Sequence, residues 1–132
     1  MISKPIQIFK TMFLALNKEW EKEKDEGLGL YLSEADPFVT GNDSVDPVVF
    51  EDFNLAFKKY GSYDEYGYSF IQRYLEELDS YYGDIKQFFS RIDKQQYLTD
   101  SEKYSSMSDE ELIDLFHLYE YEDEPQVEVS AK

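Results

Sequence analysis

The chain contains no cysteine, which rules out disulfides, thiolate metal sites and cysteine nucleophiles and fits a reducing compartment such as the cytoplasm. Histidine is almost absent as well. His117 stands alone, and the sequence places neither a nucleophile nor an orienting acid around it, as a catalytic triad would need. Glycine is sparse, and Gly27-Leu28-Gly29 lacks the third glycine and the preceding strand of a phosphate-binding loop. Long apolar runs are missing too. The N-terminal stretch is interrupted by Lys10, Asn17, Lys18 and Glu19 before it could span a bilayer, and no small-residue cleavage site follows it, so the chain reads as unexported and cytoplasmic.

Positive charge is the last shortage. Thirteen basic side chains face 29 acidic ones, a formal net charge of −16 over 132 residues. Such a field repels nucleic-acid phosphates and anionic lipid headgroups and attracts basic surfaces, so the expected partner is a basic protein, with no nucleic acid and no membrane. The plainer reading is that acidity serves solubility alone. The charge is also uneven. Residues 1–24 hold five lysines against three glutamates, whereas 109–124 hold eight acids and no Lys or Arg.

What the chain has in quantity is aromatic residues, twelve Tyr and ten Phe. Disordered chains of comparable charge lack them, so a packed core is expected, with Phe inside and many Tyr at its edge, hydroxyls toward water. Ile6, Phe9, Phe13, Leu16 and Trp20 recur at helical spacing and predict a helix over 5–24, with Pro5 in its first turn and Gly27 and Gly29 as its stop. Residues 28–46 read as a long ordered connection, with room for a helical turn at Leu30–Leu32. Asp46-Pro47 opens a helix to about Tyr60 that exposes Lys58-Lys59 at its C-terminal end. A third helix is expected from Tyr63 or Asp64 to Tyr82, closed by Gly83, and a fourth from Asp84. Thr99–Glu102 and Ser108–Glu111 both match the capping-box pattern, and the second predicts a last helix from Asp109 to about Tyr121. The whole is expected to be an all-α, single-domain helical bundle of about five helices over 1–124, with a disordered tail at 125–132.

No constellation fixes a chemistry. Adjacent carboxylates such as Glu51-Asp52, Glu76-Glu77 and Glu110-Glu111 are read as solvated faces, because a catalytic pair needs one carboxyl in an apolar pocket. Asp36, Asn42, Asp43 and Asp46 fail the alternate-position pattern of a calcium loop and are better explained by caps and Asx turns. No catalytic residue, metal ligand or cofactor is therefore assigned, and the chain is not read as an enzyme.

The most distinctive stretch is Tyr60, Tyr63, Tyr66, Tyr68, Tyr74, Tyr81 and Tyr82, interleaved with carboxylates. That mixture suits a Lys/Arg-rich surface through ion pairs and cation–π contacts, though the same tyrosines would equally serve as core-edge residues of a small bundle. Gly29-Leu-Tyr-Leu-Ser-Glu-Ala-Asp-Pro-Phe38 followed by Asp46-Pro-Val-Val-Phe-Glu-Asp-Phe53, in a small acidic cysteine-free chain, resembles the bacterial immunity proteins that neutralise a cognate toxin. The resemblance implies an inhibitor covering the functional surface of a basic toxin, and it transfers no functional residue. The expected contacts are Tyr63, Asp64, Glu65, Tyr66, Glu76, Glu77 and Asp79, with Asp109, Glu110 and Glu111 as a second face. A structural or adaptor subunit forming a homo-oligomer and a carboxylate- or metal-dependent hydrolase are the alternatives.

Overall fold

The structure, a computed structural model, describes residues 4–39, 43–60 and 65–119. The chain is all-α. Among the described residues there are eight α-helices, one 3₁₀ turn and no strand: α1 (Pro5–Glu23), α2 (Glu26–Ala35), α3 (Pro47–Tyr60), the 3₁₀ turn Glu65–Gly67, α4 (Tyr68–Glu76), α5 (Asp79–Tyr82), α6 (Lys86–Ser90), α7 (Lys94–Ser105) and α8 (Asp109–Leu115).

α1 is the axis of the fold. The periodicity 6, 9, 13, 16, 20 describes one face, and Phe9, Phe13 and Leu16 are buried as that spacing predicts. Ile8, Met12 and Leu14 are buried too, because α2, α3, α6, α7 and the 3₁₀ turn all pack against this helix. A helix enclosed on most sides needs apolar residues around most of its circumference. Around it lies one continuous core fed by every longer helix, from Ile8 to Leu112. Its centre is aromatic: the Phe53 ring meets those of Phe9 and Tyr74 at 4.9 Å and of Phe70 at 5.3 Å, in edge-on arrangements favoured by ring quadrupoles.

Several segments depart from the sequence reading. The glycines at 27 and 29 do not stop α1. Lys24 does so in a left-handed conformation (φ 56°), and the Asp25 carboxylate accepts the Leu28 amide at 3.0 Å to start α2, with both glycines inside it. The connection expected over 28–46 is therefore helical as far as Ala35. Gly27 serves close packing: a Cβ there would lie 2.0 Å from the Tyr82 carbonyl oxygen, so only glycine lets α5 approach α2.

The helix expected over 63–82 is divided. Gly67 (φ 66°) follows Tyr66 (φ 57°) in the left-handed region just before α4, and the chain turns again at Glu77-Leu78 before α5. Gly83 (φ 82°) does close α5, as its position suggested. Thr99–Glu102 is not a cap but the middle of α7, whose start is fixed earlier by the Asp93 carboxylate accepting the Gln96 amide at 3.1 Å. The Ser108–Glu111 capping box forms as predicted. α8 ends at Leu115, and the backbone then turns through left-handed His117 and Tyr119; residues 120–121 and the tail at 125–132 lie outside the described residues.

Tyrosines at the core edge are found as expected, Tyr60, Tyr66, Tyr68, Tyr82 and Tyr119 being half-buried and Tyr81 exposed, but not all of them lie there. Tyr31, Tyr74 and Tyr97 are buried, and their hydroxyls stay inside: Tyr31 and Tyr74 bond each other at 2.8 Å, and Tyr97 donates to the Tyr66 carbonyl at 2.9 Å. Phenol rings share the core with Leu, Ile and Phe side chains, and each buried hydroxyl then requires an internal partner.

Candidate protein-binding surface

The ten residues expected to contact a partner do not form one patch. Tyr63 and Asp64 lie outside the described residues, and of Glu65 and Asp79 only the backbone is described. Tyr66 is half-buried, and its carbonyl is held by Tyr97. It lines a small cleft of about 130 Å³ together with Asp109, Lys10 and Leu112. Tyr66 and Asp109 thus meet, across a long stretch of sequence, but the Asp109 carboxylate is engaged by the Lys10 ammonium at 2.9 and 3.1 Å. Glu111 closes the capping box, accepting the Ser108 amide at 2.8 Å. Of the second acidic face only Glu110 is exposed with no hydrogen bond or ion pair among the described residues.

Glu76 and Glu77 sit elsewhere, at the C-terminal end of α4, and both are exposed. A hydrogen bond and charge attraction from Lys86, 2.8 Å away, hold the Glu76 carboxyl below the usual carboxylate range. Glu77 accepts the Tyr60 hydroxyl. Tyr60 in turn stacks under the Arg73 guanidinium, centred 4.5 Å from the ring. The carboxylates here are positioned by neighbours, and cations are interleaved with them.

The structure adds residues that sequence reasoning passed over. α3 buries Val49, Phe53 and Ala56, which turns Val48, Glu51, Asp52, Leu55 and Lys59 outward. Leu55 is 58% exposed and Val48 55%. Asp52, Leu55, Ala56 and Lys59 of α3 and Tyr74, Glu77 and Leu78 at the end of α4 line an open groove of about 280 Å³. Leu55 was detectable in the sequence, since it falls out of phase with Val49, Phe50, Phe53 and Phe57. Its opposition to Glu77 and Leu78 was not. Tyr81, three residues beyond Leu78, is 69% exposed and, among the described residues of the tyrosine-rich stretch, is the ring that most clearly faces solvent.

A larger cleft of about 400 Å³ lies between α1 and α7, where Lys18, Lys22 and Arg91 gather. Each is committed: Lys18 to Asp100 at 3.5 Å, Lys22 to Glu19 at 3.0 Å, and Arg91 to Glu23 at 2.7 Å. The Thr11 hydroxyl in its wall donates to the Gln7 carbonyl. Among the described residues no group of three or more His, Cys, Asp or Glu side chains is placed to hold a metal ion, and no helix is long and apolar enough to cross a membrane.

No protein-family model matches the chain, and no curated protein or solved structure matches it. The fold and the surface themselves define the class: an all-α domain with an aromatic core, carrying most of its carboxylates outside. Only Glu19 and Asp36 are buried acids among the described residues.

Proposed function

We propose that the chain is a non-catalytic protein-binding module that engages a basic partner through its acidic surface, as an immunity-type inhibitor neutralising a basic bacterial toxin. The observation that carries this reading is the pairing of a formal charge of −16 with carboxylates held at the surface beside apolar side chains, Asp52 next to exposed Leu55 and Glu77 next to half-buried Leu78. Isolated surface charge steers association and suppresses wrong partners, whereas apolar area gives affinity once contact is made. Among the described tyrosines only Tyr81 is fully exposed, so the grip rests on carboxylates and aliphatic groups, with Tyr81 as the aromatic member.

The test is retention of partners from the source cell on immobilised protein at low and at high salt, with a Glu76→Lys/Glu77→Lys variant alongside. A basic protein retained by the natural chain, released by salt, reduced on the variant and inhibited when the chain is added back supports the reading. Retention of nothing basic, or of a partner indifferent to both salt and the variant, overturns it.

A further inference from the structure

The groove between α3 and the α4–α5 junction has features that net charge alone does not explain. Its floor is Ala56 and Tyr74, both buried, and its walls are Leu55 and Leu78. At about 280 Å³ it has room for one large apolar side chain. Asp52, Glu77 and one cation, Lys59, stand at its rim, with Glu51 and Glu76 next to the two acids in sequence and also exposed, so that carboxylates outnumber cations there. An apolar slot with carboxylates at its edges is complementary to a helix with apolar residues on one face and Lys or Arg flanking them.

We propose that this groove seats a basic amphipathic helix of a partner protein. A large aliphatic or aromatic side chain of that helix lies against Leu55 and Leu78, and its cations reach Asp52 and Glu77. This rests on reading the chain as a binder of a basic protein and assigns that reading a place and a partner shape. A second copy of the chain is a poor occupant, because it would bring two acidic rims and two charges of −16 together. The α1–α7 cleft is a poor alternative site, because its cations are already paired within the molecule.

The proposal is tested by nuclear magnetic resonance titration of the labelled full chain at low salt. The probe is a synthetic leucine–lysine peptide with its leucines on one helical face; a second peptide of identical composition has them distributed around the helix. Shifts concentrated at Asp52, Leu55, Ala56, Glu77 and Leu78 are expected. Affinity should fall about tenfold for the second peptide, and likewise for Leu55→Ser with the first. Leu55 is exposed, so its replacement leaves the core intact, which circular dichroism checks, and Glu102→Gln on α7 should bind as the natural chain does. Equal binding of both peptides, or shifts spread over α7 and α8, removes the groove while leaving a basic partner in place. Self-association mapped to these same residues without peptide gives the groove to a second copy and overturns the proposal. Absence of any peptide binding at low salt overturns both this proposal and the broader reading.

Discussion

The hydroxyl groups of Tyr31 on α2 and Tyr74 on α4 lie 2.8 Å apart inside the core, where both rings are buried. One must donate and the other accept, so the two helices are joined by a polar contact in otherwise apolar surroundings. The same pair keeps buried oxygen atoms satisfied: no buried side-chain polar atom among the described residues lacks a partner.

Removing one member of the pair strands the other. Tyr31→Phe and Tyr74→Phe are each expected to cost about 1–2 kcal/mol, and the double variant distinctly less than the sum, because nothing is then left unpaired. Urea unfolding of the four proteins measures this, and strictly additive losses would show that the hydroxyls do not act as a unit.

Alkaline pH should unfold the domain for a related reason. Burial pushes the Tyr31, Tyr74 and Tyr97 hydroxyls well above the ordinary tyrosine range, so the folded state keeps these protons after the unfolded chain has begun to lose them. The folded pKa values are raised, so the stability is fully present below the unfolded value of about 10 and drains away as pH climbs above it. Each fully protected tyrosine contributes a slope of about 1.4 kcal/mol per pH unit in that window. Unfolding midpoints followed into the alkaline range should show this fall, and Tyr97→Phe should make it shallower. A midpoint that stays level past the titration of free tyrosine would contradict it.

Gly27→Ala should displace α5 from α2. The added methyl would fall 2.0 Å from the Tyr82 carbonyl oxygen, a backbone atom that moves only if the chain around Gly83 moves. A loss of about 1–3 kcal/mol is expected despite alanine's better helix propensity, since overpacking outweighs that gain. Thermal unfolding reads the loss. An unchanged or raised Tm would show that α5 does not press on α2 as closely as the structure has it.

That glycine also marks what the sequence could and could not convey. α1 and α3 were legible because apolar residues recur at helical spacing over many residues and Asp46-Pro47 is an unambiguous start. α2 was not, because a glycine demanded by a helix 55 positions later in the chain looks, locally, like a helix stop. The buried tyrosines were not legible for the same reason: a phenol looks like an edge residue until its partner is known, and Tyr31 and Tyr74 are 43 residues apart. In the candidate surface, Glu76 and Glu77 could be found as exposed acids, but the groove that Glu77 borders exists only where α3 meets the end of α4.

The last prediction separates carboxylates that maintain the fold from those left for a partner. Around α8, Ser108 and Glu111 exchange hydrogen bonds at 2.8 and 3.1 Å across the helix start, and Glu110 between them takes no part. Ser108→Ala should cost about 1 kcal/mol, since the Glu111 amide loses its acceptor in the first turn. Glu111→Gln should cost less, because an amide oxygen can still accept the Ser108 amide while the favourable charge at the helix N-terminus is lost. Glu110→Gln should cost less again, within a few tenths of a kcal/mol, as it forgoes only that dipole term. Urea unfolding of the three variants should rank them in that order. A Glu110 loss as large as that of Ser108 would mean this carboxylate too is held by the fold, and none of Asp109, Glu110 and Glu111 would be left free to meet a partner.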